Sequence, residues 1–175
     1  MFDVTIEPGD LIHCDIGING QYVQLHTDMQ WVAYILREGE KQAPQDLQAL
    51  LDCGNRFRQI VMENMHVGKQ GNAVFTAAMR QAKAEGIQPM LYSHPVGTFG
   101  HGAGPTIGLY TNQGFVPGTG ERTIEEDTCF ALELNVYDNI SCWDGQRVFM
   151  YLEENICRAA ENDYIDGHQT KLLLI

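Results

Sequence analysis

The chain has 175 residues, 44% of them hydrophobic, and its 23 acidic against 11 basic side chains leave a formal net charge of −12. That length is the size of one domain and buries roughly 70% of the unfolded surface, so a single core over residues 1–175 needs no disulfide staples. The charge argues against nucleic acid or an anionic membrane surface as partner, because both require clustered Lys and Arg.

Glu7-Pro8-Gly9-Asp10 reads as a turn, and Leu11–Ile18 alternates as a strand with Leu11, His13 and Asp15 on one face. Asn19-Gly20 is a hairpin dipeptide, and Tyr22–Leu36, rich in β-branched and aromatic residues, returns antiparallel with His26 and Asp28 on one face. A helix is predicted from Pro44 to about His66, since Leu47, Leu50, Leu51, Phe57, Ile60, Val61 and Met65 recur at three- and four-residue steps. Gly68–Gly71 interrupts it. Asn72 is placed to cap a second helix through Glu85, with Val74, Phe75, Ala78 and Ala82 buried and Gly86 ending it.

Ser93–Tyr110 (SHPVGTFGHGAGPTIGLY) carries His94 and His101 among glycines and prolines, which clear space for a ligand to approach an imidazole. A strand follows at Cys129–Val136, with Phe130, Leu132, Leu134 and Val136 on one face and Glu133 on the other. Arg147–Ile156 repeats the pattern after an Asp144-Gly145 turn, with Glu153 on the face opposite Val148, Met150 and Leu152. The apolar end of Tyr164–Ile175 is either a last edge strand or a docked terminus.

Asp15, Asp28, His101, Glu133 and Glu153 therefore all sit in strands or at strand entrances. On one curved sheet they converge on its concave face, where four carboxylates repel one another and call for divalent cations. The competing reading is that some of these acids face solvent, as on any half-exposed antiparallel sheet. Five cysteines with no close pair fit free thiols, Met1–Asp10 has no apolar leader core, and no run reaches membrane-spanning length, so a cytoplasmic protein is expected.

The ordered pieces CDIG, TDMQ, GHGAGP, ALELN and LEEN, between Pro8 and about Arg158, resemble the metallopeptidase family of methionine aminopeptidases, Xaa-Pro aminopeptidases and prolidases. The resemblance implies an α+β pita-bread (creatinase/aminopeptidase) fold, a curved antiparallel sheet covered by helices, here without the family's opening helices. It also implies two divalent ions (Mn, Co, Zn or Fe). Asp15 would be a terminal ligand of one, His101 and Glu133 would hold the other, and Asp28 and Glu153 would bridge them. Glu133 would move the proton as a catalytic residue. The family's second histidine would fall near Gly108, which leaves His94, His13 or His26 to stand in for it, and His94 is the candidate taken as catalytic. The implied reaction is hydrolysis of the first peptide bond of a short peptide, with proline after that bond if the prolidase branch is nearer. The alternative is a non-catalytic or metal-free relative that binds peptides or assembles with other proteins. A sheet face uncovered by opening helices implies a homodimer or higher oligomer.

Overall fold

The computed structural model describes residues 4–98, 100–102, 104–159 and 163–175, with the backbone alone at His101. Nine strands and two α-helices are present among them, in the order β1 (Leu11–Asn19), β2 (His26–Tyr34), α1 (Gln45–Asn64), α2 (Gly71–Ala84), β3 (Pro89–Leu91), β4 (His94–Gly97), β5 (Gly100–His101), β6 (Thr128–Ile140), β7 (Gln146–Arg158), β8 (Tyr164–Asp166) and β9 (Leu173–Leu174). The main path across the sheet is β1-β2-β7-β6-β4-β5. β3 pairs with β6, β8 with β7 and β9 with β2.

The spine is the antiparallel β6/β7 hairpin, in register from Thr128 opposite Arg158 to Ile140 opposite Gln146. Its end is a five-residue connection, a 3-10 turn at Ser141–Trp143 followed by two left-handed residues, Asp144 (φ 52°) and Gly145 (φ 77°). Alternation then sends Leu132, Leu134, Val136, Met150 and Leu152 to one face, where they meet the buried stripes of the two helices in a single core. Gly54 lets α1 come close at mid-length, because a Cβ there would meet the Leu152 side chain. The opposite face of the hairpin carries Glu133 and Glu153.

Several boundaries differ from the sequence expectation, each for a local reason. β2 starts at His26 rather than Tyr22: Gln24 takes φ 52° and Gly20 donates its N–H to the Leu25 carbonyl, so the hairpin loop is longer than Asn19-Gly20 alone implies. The cap of α2 is Gln70. Asn72 lies inside the helix, where its amide donates to the Val116 carbonyl and its Oδ1 accepts the Val116 N–H, both at 2.9 Å. The apolar end of the tail is a last short strand, Leu173–Leu174 pairing parallel to β2, and Tyr164–Asp166 before it adds a strand beside β7. β1 and the loop after it expose Ile16, Ile18, Tyr22, Val23 and Leu25.

One stability prediction follows from the start of α2. A Cβ on Gly71 would collide with the backbone carbonyl of Thr106, which has no side chain to swing away. Gly71→Ala is expected to cost about 2 kcal/mol through this overpacking, read as a lower urea midpoint at unchanged slope.

Candidate metal centre

Cross-strand pairing places four side chains in one row on the open face of the sheet. Asp15 on β1 lies opposite Gln30 on β2, Gln30 opposite Glu153 on β7, and Glu153 opposite Glu133 on β6. Directly paired residues share a face, so the row follows from register alone. One step along the strands lies Asp28, opposite Gly17, with its N–H donated to Asn155 Oδ1 at 3.3 Å. β4 completes the group by pairing His94 with Ala131.

His94 is 8% exposed and its Nε2 lies 3.8 Å from Asp28 Oδ2, 3.8 Å from Glu133 Oε2 and 3.9 Å from Glu153 Oε1. Its other nitrogen, Nδ1, is 3.0 Å from the Pro95 carbonyl oxygen, which can only accept. The proton therefore sits on Nδ1 in the neutral ring, and Nε2 turns a lone pair toward three carboxylate oxygens. A neutral ring so placed calls for a cation among the carboxylates, whereas a protonated ring pairs with them directly. Asp28, His94 and Glu153 offer ligand atoms all within 4.8 Å of one another.

The carboxylates show the same stress. Burial pushes Glu133 up to about 7, helped by the charges of Asp28 and Asp15 and opposed by the Gln30 hydrogen bond. Burial pushes Glu153 up to about 9, with Glu133 and Asp28 adding to it. Glu153 is 3% exposed, and its Oε1 has no hydrogen-bond partner among the described residues. A buried carboxylate oxygen, an imidazole lone pair and further carboxylates form a donor set of one nitrogen and several oxygens, which suits manganese, cobalt, iron or zinc. The residues fit a divalent ion.

The expected residues divide as follows. Asp28, Glu133 and Glu153 converge. His94 is brought to them, and His101 lies on β5 opposite Val96 with its side chain outside the described residues. Asp15 shares the row but is exposed and stands on the far side of Gln30. His13 meets Gln30 rather than the carboxylates, and His26 lies at the hairpin end opposite Asn19.

Sequence reasoning missed two supports. Gln30 is 4% exposed and donates its amide to Glu133 Oε1 at 2.7 Å and to Glu153 Oε2 at 2.8 Å. The two-residue step from Asp28 was its signal, since it places Gln30 on the same face. Ser93 Oγ accepts the Glu133 N–H and donates to the Glu133 carbonyl, both at 3.0 Å, which pins β6 where the carboxylate emerges. No spacing rule reveals that bond.

A family model described as metallopeptidase family M24 matches residues 3–158. No curated protein sequence matches the chain. Among solved structures, X-Pro aminopeptidase from Thermotoga maritima is similar at TM-score 0.70 and 17% identity, over 97% of this chain and 43% of that one. Methionine aminopeptidase from Rickettsia prowazekii is similar at TM-score 0.64 and 18% identity, over 94% and 66%. The N-terminal domain of FACT complex subunit SPT16 from chickpea (Cicer arietinum) is similar at TM-score 0.63 and 14% identity, over 91% and 35%. At these identities the likeness is one of fold, and the chain spans less than half the length of the first and third of these structures.

Proposed function

The chain belongs to metallopeptidase family M24, and from that premise we propose that it hydrolyses the N-terminal peptide bond of short peptides, Xaa-Pro among them, with divalent metal held at the carboxylate–histidine cluster. The observation that carries this reading is the convergence of His94 Nε2 with one oxygen each of Asp28, Glu133 and Glu153 at 3.8–3.9 Å, a set of one nitrogen and several oxygens that suits a divalent ion. Asp28, His94, Glu133 and Glu153 would hold an ion. Asp15 belongs to a second one by resemblance. Bound divalent metal supplies Lewis-acid polarisation of a peptide carbonyl and brings the ionisation of water toward neutral pH.

The chain's own residues supply the rest. Glu133 keeps Oε1 on the Gln30 amide and turns Oε2 into the cluster, where it would take a proton from the water that attacks the carbonyl carbon and return it to the amine nitrogen as the peptide C–N bond breaks. The Pro95 carbonyl holds the His94 ring in the tautomer that presents Nε2. With His94 in the ligand position, His101, seven residues on in the sequence, takes the role of the later histidine that steadies substrate. The exposed Ile16, Ile18, Tyr22 and Val23 suit a homodimer or higher oligomer, and a cytoplasmic location completes the reading.

A second reading, a peptide-binding or assembly module, is favoured by the likeness to a FACT complex subunit. The two are separated by incubating the metal-supplemented protein with a panel of dipeptides and Xaa-Pro peptides, beside a chelated sample and His94→Ala. Release of the N-terminal residue by the metal-supplemented protein alone supports hydrolysis. Binding of peptides with no cleavage in any sample selects the module.

A further inference from the structure

Gln30 lies beside where a second cation would have to sit. It is the middle residue between Asp15 and Glu153 in one cross-strand row on one face. Adjacent strands lie about 4.8 Å apart, so the Asp15 and Glu153 backbones are separated by roughly 10 Å. A short Asp and a longer Glu that share an ion across that gap, at about 2.0–2.2 Å from each oxygen, would hold it over β2, beside the residue 30 side chain and on the side toward Asp28. A small residue there would leave that volume open. This chain fills it with a carboxamide that is 4% exposed.

The carboxamide is fixed at both ends. Nε2 donates to Glu133 Oε1 at 2.7 Å and to Glu153 Oε2 at 2.8 Å. Oε1 lies 2.7 Å from His13 Nε2, and the His13 ring stacks on Tyr151 at 4.8 Å between centroids. Both amide hydrogens are thus committed to the two carboxylates, and the side chain is held against swinging toward solvent. The Glu133 and Glu153 oxygens that do not bind the amide are the ones that face His94.

We propose that Gln30 replaces the second cation, so that this chain holds one divalent ion, among Asp28, His94, Glu133 and Glu153, and that Asp15 takes no part in binding it. This rests on the metallopeptidase reading and alters its stoichiometry. Gln30 is a positioning residue: its amide donates a hydrogen bond to one oxygen of each glutamate and leaves the other aimed at the ion. Shortening its side chain opens the volume beside Asp15.

The test is manganese bound per folded chain, by calorimetric titration and by elemental analysis after desalting, for the wild type, Gln30→Ala, Gln30→Thr and Asp15→Asn. The expected counts are about one for the wild type and Asp15→Asn, and about two for Gln30→Ala and Gln30→Thr. The second ion should disappear when Asp15→Asn is added to either variant. Circular dichroism confirms folding, and either Gln30 variant alone decides the question. Two ions in the wild type would overturn the proposal, and so would one ion in every folded Gln30 variant. No ion in the folded wild type would instead refute the metal centre itself, a result distinguishable from both.

Discussion

Stripped of divalent ions, the protein is expected to lose melting temperature as pH rises from 5 to 8, the reverse of what salt-bridged carboxylates produce. Glu133 at about 7 and Glu153 at about 9 are both held above the ordinary glutamate range, first by burial and then by neighbouring acids. Between about pH 4.3 and those values the folded chain binds more protons than the unfolded one, so stability falls as pH rises. The full contribution is present below the unfolded pKa and is lost progressively through 7 and then 9. The loss over this window is on the order of 6 kcal/mol, roughly 15 °C for a chain of this size. Manganese at pH 8 should restore most of it, because a bound cation compensates the same ionised groups. Glu153→Gln should flatten the metal-free profile. A melting temperature that is level or rising between pH 5 and 8 in the metal-free wild type would contradict the electrostatic description of the cluster.

Arg58→Met is expected to destabilise the fold by about 3–5 kcal/mol, because it leaves a carboxylate buried without its cation. Arg58 on α1 is 7% exposed and pairs with Glu154 at 2.9 Å, and Glu154 is 4% exposed on the helix-covered face of β7. His168 closes the triad, with Nε2 3.2 Å from an Arg58 nitrogen and Nδ1 3.2 Å from Glu154 Oε2. Since Arg58 can only donate, His168 Nε2 accepts from it and Nδ1–H is directed at Glu154. Burial raises the Glu154 pKa, and Arg58 and His168 lower it. The double substitution Arg58→Met, Glu154→Leu should recover most of the loss. Urea unfolding measures both, and a cost below about 1 kcal/mol for the single change would show that water reaches Glu154.

The spine of the fold and most of the carboxylates were legible because both obey a period of two. Leu132, Leu134 and Val136 against Glu133, and Met150 and Leu152 against Glu153, sort themselves onto opposite faces whatever the partner strands are. The two helices were legible by their 3.6-residue stripes, to within a few residues at each end. Which histidine joins the carboxylates was not, since His94 and His101 sit in equally broken Gly/Pro surroundings. His94 reaches them through the long-range pairing of β4 with Ala131, and local sequence carries no trace of that register. Asn72 illustrates the same limit: its type suits a helix cap, but Val116, distant in sequence, claims its side chain. The Arg58–Glu154–His168 triad joins three elements and shows no spacing at all.

The most direct measurement is an anomalous difference map from crystals grown with manganese, recorded at a wavelength where manganese scatters anomalously. The expected result is a peak in contact with Asp28, His94, Glu133 and Glu153, and none beside Gln30. A second peak beside Gln30 would keep the metal centre and remove the single-ion proposal. Absence of any peak at the cluster, in crystals whose wild-type chains are folded as described, would contradict the metal centre and the hydrolysis built on it.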